Sequence, residues 1–236
     1  MSPFSRVAHR SGGTASGRAE AEFAERRREM VAEQIRDRGV RDPRVLEAML
    51  RVPRHAFVPA EMASGAYADQ PLPIGEGQTI SQPYMVAAMT EALELVGEER
   101  VLEVGTGSGY QAAILSLLAK EVHSVEYVAT LAVAAQVRLE QMGYLNVLVH
   151  AGDGSLGWPP EAPYDAIVVT AAAPRIPPPL TEQLAEGGRL VIPVGPSLEQ
   201  ELLLVRKISG RTNAETLHHC RFVPLVGCHG WKSYQP

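Results

Sequence analysis

The stretch Val101–Leu115, VLEVGTGSGYQAAIL, constrains this chain more than any other. A short apolar run carrying Glu103 ends in glycines at alternate positions: Gly105, Gly107 and Gly109. An apolar helical run, Ala112–Leu118, follows. That order reads as strand, tight turn, helix. Glycines let the backbone turn sharply, and they let a ligand lie against main-chain N–H groups with no Cβ in the way.

Downstream, short apolar runs alternate with helical patterns. Val122–Val125, Asn146–His150, Ala166–Thr170 and Arg189–Val194 read as strands. Leu131–Met142, closed by Gly143, and a short segment around Leu180–Leu184 read as helices. Strands alternating with helices predict a doubly wound, mostly parallel α/β sheet covered on both faces. Glu201–Lys207 and Thr216–Val223 add two late strands, which predict an antiparallel C-terminal edge. There is no internal repeat. The 236 residues suffice for one such domain with a sizeable core.

Upstream, residues 1–20 carry no hydrophobic pattern and are expected to form a disordered tail. Ala21–Arg38 reads as an amphipathic helix stopped by Gly39. Asp42-Pro43 supplies an N-cap and a proline at the first helical position, opening a helix through about Leu50. Residues 52–84 are too rich in Pro and Gly for regular structure and too apolar for a linker. A long loop of that kind in a compact domain is usually functional. Helical periodicity returns at Met85–Leu95. The resulting division is a tail (1–20) and a single domain (21–236). Within the domain lie N-terminal helices with a substrate loop (21–84), a cofactor-binding core (85–195) and a C-terminal extension (196–236).

The ligand of the glycine turn follows from what surrounds it. A dinucleotide fingerprint needs glycine at the sixth position of G-x-G-x-x-G, and here that position is Tyr110. Glu103, two residues before the first glycine, suits a cationic group and not a pyrophosphate. Glu126, at the end of the next strand, is placed to accept hydrogen bonds from ribose hydroxyls. Asp153, after the third, is placed to meet an adenine edge. Each carboxylate alone has an ordinary explanation as a helix cap or an Arg partner. As a set at the carboxyl ends of three successive strands, they favour a cationic adenosyl amino acid, S-adenosylmethionine.

Further motifs carry a family resemblance: VPRHAFVP (52–59), AYADQPLPIGEGQTISQPYMVAAMTEAL (66–93), the glycine turn, GDG (152–154), APYDAIVVTAAAP (162–174), GGRLVIPVG (187–195) and RFVPLVG (221–227). With these the chain closely resembles the protein-L-isoaspartate O-methyltransferases over about residues 25–227. The PIGxGQTISQP run is specific to that family; the glycine turn is shared with other methyltransferases. The resemblance implies the Rossmann-like, S-adenosylmethionine-dependent methyltransferase fold. It also implies methylation of the free α-carboxyl of L-isoaspartyl residues in damaged proteins and peptides. Ser81 matches the family's active-site serine, and Thr79, Ile80 and Ser81 the loop that meets the substrate. Cofactor contacts carry over to Ile74, Gly75, Glu103, Gly105, Gly107, Gly109, Glu126, Tyr127, Gly152 and Asp153, with Val226 near the site.

Other classes weigh less. A net charge of −5 gives no general drive toward nucleic acid or anionic membrane. No apolar run is long enough to span a bilayer, and no secretory h-region opens the chain. Cys220 and Cys228 fit a reducing, cytoplasmic compartment rather than a disulfide framework. The expected protein is a monomer. His218, His219, Cys220, Cys228 and His229 cluster in sequence but match no usual zinc spacing, so no metal is expected. On a regular strand His218 and His219 would point to opposite faces. His55 and His123 read as structural or surface residues, and Trp158-Pro159-Pro160 as a rigid turn. The remaining alternatives are a methyltransferase for small-molecule carboxylates, a non-catalytic cofactor-binding protein, and an NAD-dependent dehydrogenase disfavoured by Tyr110.

Overall fold

The computed structural model describes residues 15–196 and 199–232. Residues 1–14, most of the expected tail, lie outside them. The first helix, α1 (Ala15–Glu29), begins six residues before the hydrophobic pattern does. Its surface carries the i,i+4 pair Glu22–Arg26 and the i,i+3 pair Glu25–Arg28. It runs into a π-helical turn, Met30–Ile35, that buries Met30, Val31 and Ile35. Gly39, at φ +111°, ends the run in the left-handed conformation. Helix α2 (Pro43–Arg51) starts as expected: the Asp42 side chain accepts from the Arg44 N–H, with proline at the first position.

Residues 52–84 hold more order than their composition predicts. Two 3-10 turns, Arg54–Phe57 and Ala60–Gly65, precede a hairpin of β1 (Leu72–Gly75) and β2 (Gln78–Ile80). Its turn residues Glu76 and Gly77 have φ of +52° and +69°. Two successive positive φ values make the tight turn that matches strand twist; Gly77 adopts one freely, while Glu76 is an uncommon residue there, so the sequence does not announce the turn. The expectation of no regular structure is therefore corrected. Helix α3 (Pro83–Ala92) follows with proline at its start.

The main sheet has seven strands: β3 (Arg100–Val104), β4 (Glu121–Glu126), β5 (Val147–Ala151), β6 (Tyr164–Val169), β7 (Leu184–Val194), β8 (Gln200–Ile208) and β9 (Arg211–Cys220). Their order is β5-β4-β3-β6-β7-β8-β9. The first five are parallel, and β7, β8 and β9 pair antiparallel. This is the doubly wound, mostly parallel sheet with an antiparallel edge. Helices α4 (Tyr110–Ser116), α5 (Ala129–Gln141) and α6 (Pro178–Gln183) link the parallel strands.

Alternation within strands divides the core. Val101, Ala166, Val168 and Val191 join the layer under the N-terminal helices and α4. Leu102, Val104, Ile167, Val169, Leu190 and Ile192 join the opposite layer with Leu180 of α6. Period-two patterning with both faces apolar is what a covered parallel strand requires.

The last strand departs from its expected bounds. β9 begins at Arg211, after a Ser209-Gly210 turn with φ of +53° and +72°. Residues 211–215 are polar because β9 is an edge strand, and that polarity hides the strand from a hydrophobic reading. In register, Leu202 pairs with His218 and Leu203 with Thr216, so Leu217 is bulged out. Beyond the bulge His218 and His219 pair in regular succession with Leu202 and Glu201, so their side chains alternate as expected, and both residues border one cleft.

Candidate active site

The chain runs β3, β4, β5 outward and then returns to place β6 on the other side of β3. At such a switch point the loops after neighbouring strands part, leaving a crevice outside their carboxyl ends. The glycine turn after β3 and Thr170 after β6 form its walls. The Thr170 N–H donates to the Val104 carbonyl at 2.9 Å, and its Oγ1 donates to the Gly105 carbonyl at 2.6 Å. Gly105 has φ +97°, and a Cβ there would run into Thr170 Oγ1. Gly107 lies under Ile74 of the hairpin, and Gly109, at φ +88°, opens α4 packed against Leu139 of α5.

Glu126 ends β4 inside this crevice. Its Oε2 accepts from the Gly107 N–H at 2.8 Å and its Oε1 from the Val128 N–H at 2.9 Å. Both oxygens are thus fixed by main chain, and each retains acceptor capacity for a ligand hydroxyl. Tyr127, 58 % exposed, stands beside it, and Val226 closes the far side.

Glu103 is fully buried. One carboxylate oxygen accepts from the Ser124 hydroxyl, and Oε1 has no hydrogen-bond partner. Burial, only partly offset by Ser124, together with the nearby Glu126, pushes its pKa from 4.5 up to about 8. A buried, unpartnered acceptor of this kind is complementary to an ammonium donor, so the residues present fit a cationic adenosyl cofactor. The pH consequences have a defined sign. Between about 4.5 and about 8 the unfolded chain has lost this proton while the folded chain keeps it. Stability of the ligand-free protein therefore falls as pH rises through that window. Glu103→Gln is expected to remove this component of the slope of melting temperature against pH. Cofactor binding at pH 7 is expected to release up to about one proton in wild type and none from this position in the variant, read by calorimetry in buffers of different ionisation enthalpy. Equal proton release by both proteins would exclude Glu103 as the ionising group.

Asp153 is anchored at the end of β5. Its Oδ1 accepts from the Ser155 N–H at 2.9 Å and hydroxyl at 2.6 Å, and its Oδ2 from the Cys228 N–H at 2.7 Å. Burial alone would raise its pKa, but these bonds outweigh it and hold the carboxyl below its ordinary value. Its neighbour Gly154 lines the crevice. Gly152 donates to the Glu126 carbonyl at 2.9 Å and so joins the ends of β4 and β5.

A second cleft, about 740 Å³, opens beside the first. The two share Thr79, Thr170, Val223 and Pro224. Ser81, Gln82, Tyr84 and Met85, at and just before the start of α3, line the second cleft, with His218, His219 and Arg221 opposite. Arg38 lies 3.7 Å over the Tyr84 ring and pairs with Asp69 at 2.6 Å. No carboxylate is among the lining residues. Ile80 turns its side chain into the core, so only its main chain is available here. Thr170 and Gln78 carry no role in the sequence analysis, and His218 and His219 are weighed there only as metal ligands. Thr170 sits at the end of a strand beside the glycine turn, a position that could have flagged it; nothing local marks the histidines as neighbours of the α3 start.

The family described as protein-L-isoaspartate(D-aspartate) O-methyltransferase (PCMT) matches residues 25–230. A protein-L-isoaspartate O-methyltransferase of Geobacter metallireducens is 58 % identical over 206 residues, covering 87 % of this chain and 95 % of that protein. Among solved structures, one protein-L-isoaspartate O-methyltransferase superposes with a TM-score of 0.78 at 32 % identity, covering 86 % of this chain and 67 % of the other. A second, from Plasmodium falciparum and described as a putative member in complex with S-adenosyl-L-homocysteine, gives 0.74 at 26 % identity, over 85 % and 98 %.

Proposed function

The chain belongs to the protein-L-isoaspartate(D-aspartate) O-methyltransferase family, and on that footing we propose how its residues divide the work. It is an S-adenosylmethionine-dependent repair methyltransferase acting on the free α-carboxyl of L-isoaspartyl residues in damaged proteins and peptides. A small-molecule carboxylate as acceptor is not favoured. The observation that carries the division of roles is the pair of adjoining clefts, which meet at Thr79 and Thr170.

When bound, S-adenosylmethionine supplies a methyl group activated by a sulfonium. Glu103, the glycine turn, Glu126 and Tyr127 hold it in the first cleft, with Ile74 and Gly75 of the hairpin above and Val226 at the rim. A free α-carboxyl has a reference pKa of about 3.5 and is ionised at neutral pH, so no residue is required as a base. The protein's part is to align acceptor and methyl group and to exclude water. Ser81 donates a hydrogen bond that orients the carboxylate, and main-chain N–H groups at the start of α3 face the same charge. Thr79 and the Ile80 main chain complete that wall.

We further propose one catalytic domain over 21–236, working as a cytoplasmic monomer. The unpaired Cys220 and Cys228 are consistent with a reducing compartment. Among the described residues no helix is long and apolar enough to cross a membrane. The deciding experiment is transfer of labelled methyl to an isoaspartyl peptide and its aspartyl twin. Label is expected on the isoaspartyl peptide alone; equal labelling of both would overturn the reading.

A further inference from the structure

Arg54 is a buried charge to which the roles above give no task. It opens the turn after α2 with 0 % exposure. Its Nε donates to the Ala66 carbonyl and its Nη2 to the Ser81 carbonyl, each at 2.7 Å. Its Nη1 is buried without a hydrogen-bond partner. The guanidinium lies 4.9 Å from the centroid of the Tyr110 ring. Among the described residues no carboxylate comes within ion-pair distance of it; Asp69, which acts on it from further off, is already paired with Arg38. Burial lowers its pKa, yet a guanidinium remains a cation at working pH.

A loop could be tied down more cheaply. Taking a cation out of water costs several kcal/mol unless an anion compensates it, and an apolar side chain would fill the same volume. What distinguishes Arg54 is where it pulls. It holds the carbonyl of Ser81, directly before α3, whose first residues line the acceptor cleft. The N-terminal N–H groups of a helix lack partners within it and already favour an anion. A hydrogen bond to a peptide carbonyl polarises that peptide, strengthening its N–H as a donor.

We propose that Arg54 is a positioning residue for the methyl acceptor: it fixes Ser81 through the main chain and supplies the positive charge that the acceptor carboxylate neutralises on binding. This rests on the acceptor being an isoaspartyl α-carboxylate. The Tyr110 ring beneath it joins this support to the first turn of α4, next to the cofactor crevice.

The test measures binding of two peptides to protein saturated with S-adenosylhomocysteine: an isoaspartyl peptide and its α-carboxamide counterpart, equal in shape but neutral. Wild type is expected to bind the carboxylate at least about tenfold tighter, as for a hydrogen-bonded charge. Arg54→Met is expected to bring that ratio near one with S-adenosylhomocysteine affinity unchanged within about threefold. Arg54→Lys keeps the charge but not the fork. It is expected to keep most of the ratio and to lose turnover, and it carries the test if the methionine variant does not fold. A merely structural Arg54 would weaken both peptides equally and leave the ratio intact, which overturns the proposal. So does a wild type that fails to distinguish carboxylate from carboxamide, or an Arg54→Lys variant with unchanged kcat and KM. Failure of the underlying reading shows separately, as no preference of wild type for isoaspartyl over aspartyl peptide.

Discussion

Replacing Ser81 with alanine is expected to lower turnover on an isoaspartyl peptide by roughly 10- to 1000-fold, about 1.4 to 4 kcal/mol of transition-state stabilisation. The range is that of losing one positioned donor in a site screened from water. Cofactor affinity is expected to stay within about threefold, because Ser81 lines the acceptor cleft and not the cofactor crevice. The loss of turnover does not follow if Ser81 is only a cap for α3. Removing a cap costs about 1 kcal/mol of stability and leaves the chemistry alone, and no side-chain cap bond is made at the start of this helix. Steady-state kinetics with calorimetric cofactor titration separates the cases: near-wild-type turnover would remove Ser81 from the reaction. If turnover falls tenfold or more while the melting temperature barely moves, the serine acts on the acceptor.

The parts of this site differ in how far the sequence exposes them. The glycine turn and the acidic residues near the ends of β3 and β4 are local patterns, fixed by residues within a few positions of one another; the fold places the turn and Glu126 at one crevice and buries Glu103 behind it. The parallel core was legible for the same reason, since apolar strands between helices have few other solutions. The acceptor side was legible only through the motif resemblance, which marks Thr79, Ile80 and Ser81. It is assembled from residues far apart in the chain: Arg38, the hairpin, the start of α3 and the end of β9. The two histidines of β9 border it because the end of that edge strand runs beside the start of α3, a tertiary neighbourhood with no composition signal. The hairpin at 72–80 was hidden by its own prolines and glycines, whose role there is to turn the chain and not to disorder it. Tyr110 shows the gain from structure most directly. In the sequence it served only to break a dinucleotide fingerprint; in the fold its ring is the floor under Arg54.

The three glycines of the turn are expected to differ in their tolerance of a side chain, with Gly105→Ala the most damaging. All three have positive φ, which costs a non-glycine residue about 1–2 kcal/mol. Beyond that shared penalty they diverge. At Gly107 and Gly109 the nearest atoms to an added Cβ are terminal methyls of Ile74 and Leu139, both 3.3 Å away, which give with small adjustments. At Gly105 the Cβ would fall on Thr170 Oγ1, closer than the 3.0 Å that real Cβ atoms respect. Thr170 can escape only by rotating. It then gives up its bonds to the Gly105 carbonyl at 2.6 Å and the Val104 carbonyl at 3.1 Å, about 1 kcal/mol each. Those bonds join the two strand ends between which the cofactor lies. The sum, about 3 kcal/mol, corresponds to a loss of roughly 100-fold in cofactor affinity if it is expressed there. Thr170→Ala in the same chain separates the contributions. Alone it gives up the same two bonds, roughly 30-fold in affinity, and because the collision already costs them the double variant is expected to bind no more weakly than Gly105→Ala. Losses that multiply in the double variant would show that the collision does not occur. Wild-type affinity in Gly105→Ala itself would mean that the turn does not carry the cofactor at all.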